Sequence, residues 1–182
     1  MALGWKWTGQ RRPPWAEEPG PGRVSVWDFP RPPRLETVDR PVRVEHAGVV
    51  IADTRGALRV VETAGAPVYY IPPGDVRTDL LESVPGSSLC EWKGRAVYHD
   101  LALPPGLTGG RAIRVPRAAW SYPDPSRGWE AIRGHVAFYA SRLDCCRVGD
   151  DLVRPQPGGF YGGWVTPDLA GPIKGAPGTH HW

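Results

Sequence analysis

The sequence predicts a mainly β domain: short antiparallel strands, one or two short helices, and irregular arms on either side. Three observations carry that reading. A chain of 182 residues with 41% hydrophobic residues can bury one sizeable core and is not composed like a disordered protein. Its 23 Gly and 22 Pro interrupt the backbone too often for long helices. Between those breakers, short runs alternate apolar and polar residues, which is the period of a half-buried strand.

Residues 1–40 form a Pro- and Trp-rich arm with Trp5, Trp7, Trp15 and Trp27. It ends in Val26-Trp27-Asp28-Phe29-Pro30-Arg31-Pro32-Pro33-Arg34, where proline favours an extended path. Large aromatic surfaces are costly in water, so Trp27 and Phe29 are expected to dock on the core.

Residues 41–153 read as the β domain. Val42 to His46 and Val49 to Ala52 form a hairpin turned at Ala47-Gly48. Leu58 to Glu62 and Val68 to Ile71 are two further strands, the second stopped by Pro72-Pro73. Asp75 to Leu81 reads as a short helix, because Val76, Leu80 and Leu81 share one face at helical spacing. Tyr98 to Leu103 and Arg111 to Val115 read as strands around a Gly/Pro loop, and Arg127 to Arg133 as a helical turn. His135 to Tyr139 and Cys145 to Val148 complete the set, with a turn at Gly149-Asp150. Residues 154–182 hold seven Gly and five Pro, yet also Phe160, Tyr161, Trp164 and Trp182. A free tail is normally poor in aromatics, so this reads as an irregular arm wrapped on the domain.

Charge excludes some functions. Residues 41–153 carry thirteen basic and thirteen acidic residues, and no segment holds a basic block. The concentrated footprint that nucleic-acid binding requires is missing, and no nucleic-acid partner is expected. No apolar run is long enough to span a bilayer, and residues 1–12 lack the apolar stretch of a signal peptide. Three cysteines, two of them adjacent, do not form a secreted disulfide framework, so a cytoplasmic protein with reduced thiols is expected.

Four segments carry a resemblance. They are Val68-Tyr69-Tyr70-Ile71-Pro72-Pro73-Gly74-Asp75-Val76, Cys90-Glu91-Trp92-Lys93-Gly94-Arg95-Ala96-Val97-Tyr98, Ala119-Trp120-Ser121-Tyr122-Pro123-Asp124-Pro125 and Ile132 to Tyr139. In this order they resemble the motifs of the bacterial family known as domain of unknown function 427, labelled nucleotidyltransferase in some descriptions. The resemblance implies a fold similar to the β-tent of methionine sulfoxide reductase B and of several zinc-binding modules. Those relatives use Cys-x-x-Cys knuckles; this chain has none, so no structural zinc is expected. The family includes tandem members, whereas this chain has one copy, and here His99-Asp100 follows Tyr98 where an aromatic is common.

The candidate site comes from those motifs. Cys90 and Lys93 lie three residues apart beside Trp92. A nearby ammonium can activate a thiol as a nucleophile; the alternative is a small buried Cys and a solvated Lys at a turn. Lys93 is the one lysine of residues 41–153, against twelve arginines, and lysine is a compact, titratable cation. His135 can serve as a general base or be a hydrogen-bonded strand residue. Other family members carry Tyr at that position. Tyr70, Trp92, Tyr98, Trp120 and Tyr122 are either β core or the walls of a pocket anchored by Lys93. The ligand of such a pocket is small, and anionic or carbonyl-bearing. No metal or cofactor is expected: the histidines have no ligand spacing, and no standard Gly-rich phosphate loop is present. Gly86-Ser87 is the one candidate for a phosphate-binding turn. Two readings stand: a small-ligand site with catalytic potential at Cys90, Lys93 and His135, or a non-catalytic module binding a peptide or protein.

Overall fold

The computed structural model describes residues 5–182. Numbered along the chain, its strands begin with β1 (Val24–Ser25), β2 (Arg34–Thr37), β3 (Val42–His46), β4 (Val49–Thr54), β5 (Leu58–Val61) and β6 (Val68–Tyr70). The long strands β7 (Leu81–Cys90), β8 (Gly94–Leu103) and β9 (Ile113–Ser121) follow. Then come β10 (Val136–Phe138), β11 (Cys145–Val148), β12 (Asp151–Leu152), β13 (Arg154–Pro155), β14 (Trp164–Val165) and β15 (Leu169–Ala170). The protein is mainly β, as its turn density predicts. Among the described residues every helical piece is a single 3₁₀ turn of three residues.

Three antiparallel sheets form the body, in the orders β10-β9-β8-β7, β12-β11-β3-β4 and β2-β5-β6. The β3–β4 hairpin turns where the sequence places it. Ala47 and Gly48 both adopt positive φ, 49° and 74°, which the favoured two-residue hairpin loops demand. Val42 and Val44, on one face of β3, are fully buried.

The main core lies between the first two sheets. Val42, Val44 and Ile51 from one meet Leu101, Leu103, Ala119, Val136 and Phe138 from the other. Part of the opposite face of β8, β9 and β10 is covered as well. Trp120, Tyr122 and Ala137 pack there against Val60 and Tyr70 of the β2-β5-β6 sheet. Where both faces are covered, at Ala118–Ser121, β9 loses the alternation of exposed and buried residues that it shows at Ile113–Pro116.

Two expectations are corrected. The short helix over residues 75–81 is replaced by separate 3₁₀ turns at Pro73–Asp75 and Thr78–Leu80. Val76 between them bridges to Ala52, and the Arg77 amide donates to the Ile51 carbonyl at 2.8 Å. Pairing with β4 therefore outcompetes the helix, while Val76 and Leu80 still reach one core. Gly86-Ser87 belongs to β7, which the alternation did not reveal. Between Val84 and Ser87 the β7–β8 register shifts in a bulge. Arg117 occupies the space beside Gly86 and donates to the Pro85 carbonyl at 3.1 Å.

The flanking segments pair with each other as well as with the body. β1 runs parallel to β15, and β13 pairs with β14. Trp27 and Trp164 are both buried, as their apolar surface predicts. The Trp27 indole donates to the Pro172 carbonyl at 3.1 Å and the Trp164 indole to the Phe138 carbonyl at 2.9 Å. No helix among the described residues is long and apolar enough to cross a membrane.

Candidate functional site

The site grows from the turn between β7 and β8. Cys90 pairs with Gly94, leaving a three-residue loop of Glu91, Trp92 and Lys93. Gly94 has φ 95°, the left-handed conformation that such hairpin loops place on glycine. A Cβ there would also sit 2.9 Å from the Ser126 hydroxyl. The absent side chain admits a second loop: Gly94 bridges to Pro125, and the Ser126 amide donates to the Lys93 carbonyl at 3.0 Å. This docking brings in Trp129. The Lys93 ammonium lies 5.6 Å from the Trp129 ring centroid and 5.9 Å from that of Tyr122, both within cation–π range. No carboxylate within ion-pair distance of Lys93 occurs among the described residues.

Strand alternation assembles the rest. Tyr98 of β8 is registered against Trp120 of β9, and Trp120 against Ala137 of β10. Tyr122 follows two residues after Trp120 on the same face, and Tyr139 two after Ala137. Tyr70 reaches this cluster from the end of β6, with ring centroids 6.3 Å from Tyr122, and Cys90 packs at its edge. The Trp120 and Tyr139 rings are 4.4 Å apart. Gly162, from the C-terminal segment, lies over Trp120: a Cβ there would collide with the indole.

Burial dominates the electrostatics. It drives the Tyr70 phenol well above its usual range, with further upward push from Tyr122 and Cys90. Tyr122 is raised by burial first, then by the Cys90 and Tyr98 groups beside it. Tyr139 is pushed up to about 12, again by burial and then by Tyr98, against the opposing charge of Arg142. These phenols are therefore hydrogen-bond donors at neutral pH. Two further cations sit on tyrosine faces: Arg117 is 4.9 Å from the Tyr98 ring and Arg142 is 4.7 Å from the Tyr139 ring. The Tyr98 hydroxyl is 2.7 Å from that of Ser88.

The structure thus gathers Tyr70, Cys90, Tyr98, Trp120 and Tyr122 into one cluster, with Lys93 at its rim. Tyr70, Trp120 and Tyr122 are core residues; Cys90, Lys93 and Tyr98 are half-buried. Trp92 is half-buried in the hairpin loop, outside the cluster. His135 precedes β10; its Nδ1 is 3.4 Å from the Arg133 carbonyl oxygen, and no hydrogen bond joins it to Cys90 or Lys93. Sequence reasoning missed Trp129, Arg117, Arg142 and Tyr139. Tyr139 was legible, since it alternates with His135 and Ala137. Trp129 carried no local signal, because long-range contacts, including that of Gly94 with Ser126, place it. Two cavities, of about 230 and 670 Å³, open elsewhere and are lined by other residues. Among the described residues, no group of three or more His, Cys, Asp or Glu side chains converges as a metal-ligand set.

Fold and cluster define a mainly β protein in which a tyrosine-rich sheet face carries one thiol and one lysine. The chain belongs to the family of domain of unknown function 427, whose family model, labelled NTP_transf_9, matches residues 34–149. The match runs from β2 to the turn after β11 and includes every residue of the cluster. No curated protein is significantly similar to the chain.

Proposed function

We propose that the protein binds a small anionic or carbonyl-bearing ligand at Lys93. The supporting observation is a lysine ammonium 5.9 Å from the Tyr122 ring centroid and 5.6 Å from that of Trp129, with no carboxylate partner among the described residues. A cation in that setting gains from an incoming anion or carbonyl oxygen. The rings supply an apolar wall, and the neighbouring phenols supply donors. Cys90, three residues before Lys93, is the nucleophile available to such a site, which gives the binding site its catalytic potential. His135 has the weaker case as a base, because its ring nitrogen lies against a backbone carbonyl.

Alkylation rates test this reading. Iodoacetate is anionic and iodoacetamide neutral, so their rate ratio at Cys90 reports the local cation. The ratio should fall about fivefold in Lys93→Met, the size of an interaction of about 1 kcal/mol, and persist in Lys93→Arg. A ratio unchanged in Lys93→Met would remove the anchoring role. Once a ligand is in hand, full binding by Lys93→Arg would leave Lys93 an electrostatic role and no titratable one.

A second reading, a non-catalytic module for a peptide or protein, draws on the 670 Å³ cleft. Leu80, Leu103, Leu107 and Ile113 line it beside Arg77 and Arg114. Nucleotidyl transfer, which the family label suggests, normally employs clustered carboxylates around a metal. That reading draws support from the label alone.

A further inference from the structure

The cavity of about 230 Å³ lies where the N-terminal and C-terminal segments meet, and none of its lining residues belongs to the Lys93 cluster. Its apolar wall includes Val165, Leu169 and Ile173. Val165 and Leu169 are part of the core around Trp27, and Ile173 packs on that core. The charged lining residues are Glu17, Arg23 and Arg154. Glu17 is engaged: its carboxylate accepts from the Gly171 amide at 3.2 Å and lies 3.9 Å from Arg23. Arg23 also donates to the Leu169 carbonyl. Arg154 differs. It is exposed, and among the described residues its guanidinium has neither a hydrogen bond nor an ion pair. Its backbone is held by the β13–β14 pairing opposite Val165.

An uncommitted guanidinium beside an apolar hollow is complementary to a carboxylate on an apolar body, because its planar fork matches both carboxylate oxygens. The volume is below the roughly 300–1,000 Å³ of pockets for drug-sized ligands, so the body is compact. We propose that this cavity binds a small apolar carboxylate, with the carboxylate on Arg154 and the body against Val165, Leu169 and Ile173. A free branched-chain acid and the C-terminal residue of a peptide present the same chemistry. The site is independent of the Lys93 reading.

Calorimetric titration with 4-methylpentanoate, 4-methylpentanamide and N-acetylglycyl-leucine decides the matter. The acid, the peptide or both should bind with a dissociation constant of about 1 mM or tighter, and the amide about tenfold more weakly than the acid. Arg154→Gln should lose about the same factor, and amide resonances of Gly171 and Ile173 should move on binding. Tighter binding of the peptide would identify a chain terminus as the ligand, and of the free acid a metabolite. Equal binding of a carboxylate and its own amide overturns the proposal, as does undiminished binding by a folded Arg154→Gln, or no binding of either carboxylate at about 10 mM. If Arg154→Gln does not fold, the loss on amidating whichever carboxylate binds, 4-methylpentanoate or N-acetylglycyl-leucine, decides alone on the unaltered chain.

Discussion

Two aromatic clusters with cations on their rings lie on the same protein and differ in chemistry. Around the terminal segments, Trp7, Trp15, Trp27 and Trp182 pack with centroids 5.3–6.3 Å apart, and Lys6 and Arg11 lie over Trp7. On the sheet face, Tyr70, Tyr98, Tyr122 and Tyr139 surround Trp120 and Cys90, with Lys93, Arg117 and Arg142 on tyrosine rings. The first cluster contains indoles only. The indole N–H of its central residue, Trp27, is spent on a backbone carbonyl. The second carries phenols, a thiol and an ammonium with no carboxylate partner among the described residues. Aromatic content alone therefore says little about function; the first cluster fastens the two segments together, whereas the second brings polar groups to one place.

Removing the centre of the first cluster should have the largest effect. Trp27→Ala is expected to cost about 3–5 kcal/mol in urea unfolding, the range for deleting a buried aromatic. It should also make residues 1–40 and 154–182 sensitive to limited proteolysis. A loss below about 1 kcal/mol would mean that the segments are held by their strand pairing instead.

The next test exploits what titrates. The Tyr70 and Tyr122 phenols are raised in the folded state and return to about 10 on unfolding. Their protonated form is the one the fold favours. The stability they contribute is fully present below about pH 10 and is lost as pH rises towards their folded values, by up to about 1.4 kcal/mol per pH unit for each group. Urea unfolding measured from pH 8 upward should show that decline, and Tyr122→Phe should make it shallower. The tryptophan cluster adds no such dependence, so Trp27→Ala should leave the slope unchanged.

Gly162→Ala probes the cover over the tyrosine cluster. Its Cβ would collide with the Trp120 indole, and a cost of about 1–3 kcal/mol is expected in thermal or urea unfolding, as for overpacking a filled core. Lys93→Met should have the smallest effect on stability, about 0.5–1 kcal/mol, the range for half-exposed cation–π contacts. A large loss there would show that Lys93 holds the hairpin to the Trp129 loop, and its free charge would then be incidental to a structural role.

Much of the fold was legible in the sequence. The hairpin at Ala47-Gly48 follows from alternation and turn chemistry, both local properties. The docking of Trp27 and Trp164 follows from the size of their apolar surface. The motifs also marked Tyr70, Cys90, Tyr98, Trp120 and Tyr122, which share one cluster because strand period and register align them. Strand β7 escaped because its Pro85-Gly86 bulge breaks the alternation, and its hydrogen-bond partners are supplied by β8. The helix predicted over residues 75–81 failed because Val76 and Arg77 pair with β4, a long-range contact that helical spacing cannot register. Trp129 and the freedom of Arg154 depend on which loops meet. By itself, the sequence determined a β domain with aromatic arms and one lysine among its motifs, because period, breakers and composition act locally. The tertiary structure decided which rings hold that lysine and which residues line the cavity beside Arg154, because those follow from contacts between segments far apart in the chain.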